Sequence, residues 1–138
     1  MSGAVERTAE EDRELAVLRW SAEFEDRERA LELAGRMAEP WFGVNTRCNK
    51  ALDHERTHGW GTPALYAACR RLDVRALIVD GARDIRPRSA VDSLAAALPG
   101  SVRVTLPGAG HQPWTEDSGG FRDAVLDALR PDRGGGEI

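Results

Sequence analysis

Only two strand-like runs occur in this chain, and helices separate and follow them. Ala76-Leu77-Ile78-Val79 is a short continuous apolar run closed by Gly81, the pattern of a strand buried on both faces. Val102 to Leu106 is the second run, ended by Pro107-Gly108. Between them, Ser89 to Leu98 carries Ala90, Val91, Leu94, Ala95 and Leu98 at helical spacing, and Phe121 to Leu129 is amphipathic. This order predicts a βαβα unit with parallel strands and a right-handed crossover. Two parallel strands cannot bury both of their own faces, because all-parallel sheets sit between helices within larger sheets. The expected class is therefore α/β, with a sheet that needs more structure to join.

Residues before about Leu72 read as helical. Glu10 to Trp20 carries Leu15, Val17, Leu18 and Trp20 among charges. Asp26 is expected to cap a helix running to about Ala38, with Ala30, Leu31, Leu33, Ala34 and Met37 on one side and Pro40 beyond its end. Another helix is expected from Asn45 to Glu55. Thr62-Pro63 supplies a cap and a first-turn proline for a short one through about Arg71. The expected division is a helical region at 1–71, the βαβα segment at 72–130, and a disordered tail at 131–138, where the glycine-rich end has nothing to pack.

Composition removes several classes. Hydrophobic residues are 41% and charged ones 30% of the chain, which is ordinary for a folded domain and not for a disordered one. The formal net charge is −4, and the arginines alternate with acids, as in Glu25-Asp26-Arg27-Glu28-Arg29. A clustered basic face is missing, so nucleic acid is not an expected partner, and that run reads as a solvated helix face. No apolar stretch reaches the roughly 18 residues a membrane span needs, and Met1 to Arg7 has no apolar core of a secretory signal. Cys48 and Cys69 lie far apart without metal-ligand spacing and read as free thiols. A cytoplasmic location is expected.

The chemistry-bearing residues fall after the two strands. Gly81-Ala82-Arg83-Asp84-Ile85 follows the first, and Pro107-Gly108-Ala109-Gly110-His111-Gln112-Pro113-Trp114 follows the second. In a parallel sheet both loops leave from the carboxyl edge, where ligands and catalytic groups gather. Asp84 and His111 are thus expected at neighbouring strand ends, where a carboxylate can fix the tautomer of an imidazole acting as general base. The alternatives are an exposed loop histidine and a turn-capping aspartate. His54 and His58, four residues apart, could in principle share a metal ion. No third ligand stands at useful spacing, so they read as surface histidines, and no metal is expected. Trp20, Trp41, Phe42 and Trp60 could wall an apolar substrate site or pack between helices.

From Leu72 to Leu129 the chain resembles the last two strands and helices of the α/β-hydrolases, particularly the proline-iminopeptidase-like group. The residues that carry the resemblance are Gly81-x-x-Asp84, Leu106-Pro107-Gly108-Ala109-Gly110-His111, Trp114, and Glu116-Asp117 opening the final helix. The stretch Glu39-Pro40-Trp41-Phe42-Gly43-Val44-Asn45 looks like part of the helical cap of that fold. The resemblance implies a C-terminal segment of an α/β-hydrolase fold preceded by a cap-like region. It implies Asp84 as the acid and His111 as the base of a Ser-Asp-His triad, in the chain order of that fold. It also implies hydrolysis of a peptide, amide or ester bond without a cofactor. Trp41, Phe42 and Trp114 are candidate substrate-binding residues.

The departure is the nucleophile. Among Ser2, Ser21, Ser89, Ser93, Ser101 and Ser118, none has the Gly-x-Ser-x-Gly setting of a nucleophile elbow. Ser118 comes nearest, but Glu116 holds the upstream position and the serine follows His111. The expectation is a partial hydrolase, inactive alone, whose nucleophile and oxyanion donors come from an N-terminal half. Completed in that way, it would take a small-molecule, peptide or ester substrate. The alternative is a non-catalytic binding module that keeps the scaffold. Either form leaves a sheet edge for a partner chain or a second copy to cover.

Overall fold

The computed structural model describes residues 7–130. The expectations for the amino-terminal residues before Arg7 and for the 131–138 tail lie outside the described residues. Helix α1 (Ala9–Ser21) opens on a reciprocal cap: Glu11 N donates to Thr8 Oγ1 at 3.2 Å, and Thr8 N donates to Glu11 Oε2 at 2.7 Å. α1 packs on α2 (Ala30–Met37), and the pair closes over Phe24, which is fully buried with Ala30, Leu33 and Ala34. Val17 and Trp20 of α1 complete this small core. A connection, rather than a helix end, thus supplies the centre of the packing.

The sequence expectation for α2 needs correction. Asp26 does not cap the helix, which starts at Ala30 with Arg29 in the cap position. Asp26 Oδ1 instead accepts from Glu28 N and Arg29 N, both at 3.1 Å, and so shapes a turn ahead of the helix. The run from Glu25 to Arg29 therefore belongs to a connection, not to a helix face. Helix α3 (Thr46–Gly59) is capped by Asn45, whose side chain accepts from Cys48 N at 2.9 Å. It continues past Glu55 to Gly59, and none of its residues is buried. Helix α4 (Pro63–Cys69) starts at Thr62-Pro63 as expected and ends two residues short of Arg71.

Strands β1 (Ala76–Gly81) and β2 (Ser101–Leu106) pair in parallel, in a register that sets Val79 beside Val104 and Gly81 beside Leu106. Side chains alternate across the pair. Leu77, Val79, Val102 and Val104 share one face; Ile78, Asp80, Arg103 and Thr105 share the other. Helix α5 (Arg88–Ala97) attends the polar face, where its Asp92 reaches Arg103 at 2.5 Å and its Arg88 reaches Asp80 at 3.5 Å. Helix α7 (Ser118–Leu129) lies along the apolar face. It starts at Ser118, three residues before Phe121, because Asp117 accepts from Gly120 N at 2.9 Å. A single helical turn, α6 (Pro113–Glu116), precedes it.

On the polar face Asp80 is buried, and Arg103 clasps it with Nε at 2.9 Å and Nη2 at 2.7 Å. Thr105 adds a hydroxyl donor at 2.8 Å. The Arg103 hydrogen bond, aided by Thr105 and outweighing the cost of burial, holds the Asp80 carboxyl below its ordinary value of 3.8. The same pairing pushes the Arg103 guanidinium further up, with Asp80 the larger cause and Asp92 the second.

Candidate active site

Both loops that follow the strands meet at one rim. Backbone bonds set their positions: Ala82 N donates to Leu106 O at 2.9 Å, and Arg83 N donates to Ala109 O at 2.9 Å. Gly81 makes this approach possible. A Cβ built on it would lie 2.6 Å from the carbonyl carbon of Ala109, so no side chain fits. In consequence Asp84 Oδ2 and His111 Nδ1 stand 2.7 Å apart. An ionised carboxylate can only accept, so the proton of this bond sits on Nδ1. The unprotonated lone pair of a neutral ring is then on Nε2, the arrangement a general base needs. Asp84 Oδ1 accepts from Arg86 N at 2.8 Å, which holds the carboxylate in one orientation. The His111 side chain stays about a third exposed, at 32%, and that of Asp84 is half as open at 16%.

A second set of residues, not legible as functional in the sequence, holds the histidine loop. His111 N donates to Glu23 O at 3.0 Å, and Gly110 N donates to Glu116 Oε2 at 2.8 Å. Glu116 Oε1 also accepts from Glu25 N at 2.6 Å, so one carboxylate bridges the connection before α2 and the histidine turn. Glu23 uses its side chain as well, accepting from Gln112 Nε2 at 2.6 Å and Arg86 Nη2 at 2.8 Å. Gln112 is buried, and its Oε1 has no hydrogen-bond partner among the described residues. The sequence signals near this clamp are Glu116, which carries part of the resemblance but only as an opening of the final helix, and Phe24, an aromatic between two acids in an otherwise charged stretch.

The candidate substrate-binding residues do not converge. Trp41, in the connection between α2 and α3, packs on Trp20 of α1 with ring centroids 6.2 Å apart. Phe42 projects outward at 89% exposure. Trp114 is half-exposed beside the histidine loop, with its ring edge-on to Phe121 at 6.3 Å. His54 and His58 stack at 4.3 Å on the exposed α3, and His58 Nδ1 bonds the carbonyl of His54 at 2.7 Å. Among the described residues no cluster of three potential metal ligands occurs, and no helix is long and apolar enough to cross a membrane.

Three of the serine hydroxyls are engaged elsewhere. Ser21 donates to Leu18 O at 2.8 Å, Ser93 to Ser89 O at 2.7 Å, and Ser101 to Ala95 O at 3.3 Å. Among the described residues no serine hydroxyl bonds the imidazole. A cavity of about 870 Å³ is present, but it lies at the other end of the sheet. It is walled by Leu77, Val102, Val104, Val125 and Leu129, near the strand starts rather than the Asp84–His111 rim. The chain thus presents a carboxylate and an imidazole in contact at one sheet rim, and an open apolar groove away from them.

No protein-family model matches the chain, and no curated protein does. Solved structures do match. One is described as a non-heme bromoperoxidase, BpoC, from Mycobacterium tuberculosis H37Rv, with a TM-score of 0.62 and 20% identity over 89% of this chain and 45% of that one. Another is a serine hydrolase involved in carbazole degradation, CarC, with a TM-score of 0.60 and 20% identity over 94% of this chain and 50% of that one. A match over 89% of the chain extends well beyond the βαβα segment, so the helical region is part of the likeness. The chain spans about half the length of each structure. These neighbours are α/β-hydrolases, and the likeness is one of fold: two parallel strands with their helices, preceded by a helical region, form part of an α/β-hydrolase fold.

Proposed function

We propose that this chain supplies the acid and the base of a serine-hydrolase triad, with Asp84 orienting His111, and that the nucleophile and oxyanion donors lie on another segment. The observation that carries the reading is the 2.7 Å contact between Asp84 Oδ2 and His111 Nδ1 at the carboxyl ends of two parallel strands. His111 Nε2 would take the proton of a serine hydroxyl and return it to the leaving group, while Asp84 stabilises the imidazolium. The bond cleaved would be a peptide, amide or ester. The Leu106-Pro107-Gly108-Ala109-Gly110-His111 turn favours a proline-iminopeptidase-like relative within that range. No cofactor enters such a reaction. The cytoplasm is the compartment that fits, and two free cysteines, Cys48 and Cys69, support it.

A binding module that merely kept the scaffold has no use for an imidazole held in one tautomer beside a carboxylate, which is why the triad reading is preferred. The test begins with the coding DNA around this sequence. A flanking segment with a Gly-x-Ser-x-Gly elbow, expressed together with the chain, should hydrolyse aminoacyl- or acyl-nitrophenyl esters. His111→Ala should then lower turnover by about 10⁴-fold or more, and the 138-residue chain alone should stay at background. Activity of the isolated chain that vanishes in His111→Ala, or activity of the pair indifferent to that change, would refute the reading.

A further inference from the structure

We propose that Glu116 and Glu23 are positioning residues, which pin the backbone of the histidine turn to the connection before α2 and so fix the imidazole against Asp84. The proposal deepens the triad reading and rests on it for its functional meaning.

The turn itself cannot hold the ring. Gly108, Ala109 and Gly110 precede His111, and glycine brings more backbone freedom to be lost than any other residue. Fixation therefore comes from outside the turn. Glu116 takes Gly110 N with one carboxylate oxygen and Glu25 N with the other, at 2.8 and 2.6 Å. Hydrogen bonds to an ionised acceptor are about twice as strong as neutral ones, and here one carboxylate ties two otherwise separate backbone segments. A Cβ on Gly110 would come within about 3.0 Å of Glu23 O, Glu25 N and Glu116 Oε2, so the turn is held from three sides.

Glu23 closes a circuit through both members of the candidate pair. Its carbonyl accepts from His111 N at 3.0 Å, and its carboxylate accepts from Arg86 Nη2 at 2.8 Å. Arg86 N bonds Asp84 Oδ1 at 2.8 Å, and Asp84 Oδ2 meets His111 Nδ1 at 2.7 Å. Acid and base are each tied to the same residue of the helical region. A shift of the connection between α1 and α2 is therefore passed to the ring rather than absorbed by the turn.

The readout is the tautomer of His111, which needs no substrate, so its outcome is separate from that of the ester assay. The full chain, ¹⁵N-labelled at histidine, is studied by long-range ¹H–¹⁵N correlation at about pH 8, where an ordinary histidine is neutral. His111 signals are assigned with His111→Ala. The native chain should show Nδ1 protonated and Nε2 bare, as one form. Glu116→Ala should lose this pattern and give averaged ring-nitrogen shifts. Glu116→Gln, which keeps a single acceptor oxygen, should fall between. Glu23→Gln should weaken the pattern, and Glu32→Ala on exposed α2 should leave it unchanged. A folded Glu116→Ala with native His111 shifts would sink the proposal. Should Glu116→Ala lose its amide dispersion, Glu116→Gln decides, and native ring shifts there count equally against it.

Discussion

A methyl group at position 81 would run into the backbone carbonyls of Gly110 and Ala109, whose oxygens lie closer than any Cβ can approach. Gly81→Ala should therefore cost about 1–3 kcal/mol, the usual penalty of overpacking, and it should act on chemistry as well as stability. The displaced segment is the one that presents His111, so the Nδ1 bond to Asp84 should loosen. Denaturant unfolding reads the first effect and the ring tautomer the second. A variant with native stability would mean that the two loops are free to separate. Asp84→Asn should act differently. It removes the acceptor that keeps the proton on Nδ1 and allows the wrong tautomer, so in the completed enzyme turnover should fall about 10⁴-fold with little change in unfolding midpoint. At this scale the sequence was informative at the two turns after the strands: Asp84 and His111, which the structure brings within 2.7 Å, stood out because each follows a strand and glycine surrounds the histidine. The holding role of Glu23, Glu25 and Glu116 did not, since a carboxylate that takes backbone amides, as Glu116 does, or a main-chain carbonyl or amide, as at Glu23 and Glu25, leaves no pattern of its own. The three aromatics do not converge on one surface, and residue type alone cannot say where they go. Apolar surface is the same residue type whether it meets substrate, as first expected of Trp41, or another tryptophan, as it does at Trp20.

The strand pair has one face built on charge. Asp80 is depressed by its bond to Arg103, so its contribution is present above the unfolded carboxylate value of 3.8 and is lost as pH falls through the lower folded value. Asp80→Asn should lower stability at neutral pH by about 1.5–3 kcal/mol, the range for hydrogen bonds to a charged group. The gap between the two proteins should then narrow as pH drops below about 4, because the native carboxyl becomes neutral as well. Urea unfolding at a series of pH values checks this, and a gap constant with pH would assign the effect to shape instead of charge. The strands and α5 were legible as elements, because an apolar run or a helical stripe marks its own period. The expected burial of Ala76 to Val79 on both faces is not reached, since those residues are only half-buried and the opposite face carries Asp80 and Arg103. The start of α2 was not. Asp26 has the residue type of a cap, but its carboxylate is spent on the turn before the helix, at 3.1 Å from two amides. Helix α3 ran past its expected end since none of its residues is buried and its periodicity carries no boundary signal.

A two-stranded parallel sheet with helices against its two faces still has uncovered apolar surface near the strand starts. Val102 is 62% exposed and Leu129 72%, both at the groove by the strand starts. Burying a valine is worth about 1.5–3 kcal/mol, so each such residue left open favours a covering partner. On the triad reading proposed above, the occupant would be the segment that carries the nucleophile and further strands. The groove is remote from Asp84 and His111, which sit at the opposite strand ends. Affinity and chemistry should therefore separate. Val102→Lys should weaken binding of the nucleophile-bearing segment about ten- to a hundredfold, the equivalent of that burial. At saturating partner it should leave ester turnover near native. His111→Ala should do the reverse, keeping affinity and abolishing turnover. Titration of the two segments with an activity readout measures both quantities at once. If Val102→Lys lowers turnover at saturation and spares affinity, the groove belongs to the reacting site, and the sheet is completed from some other side.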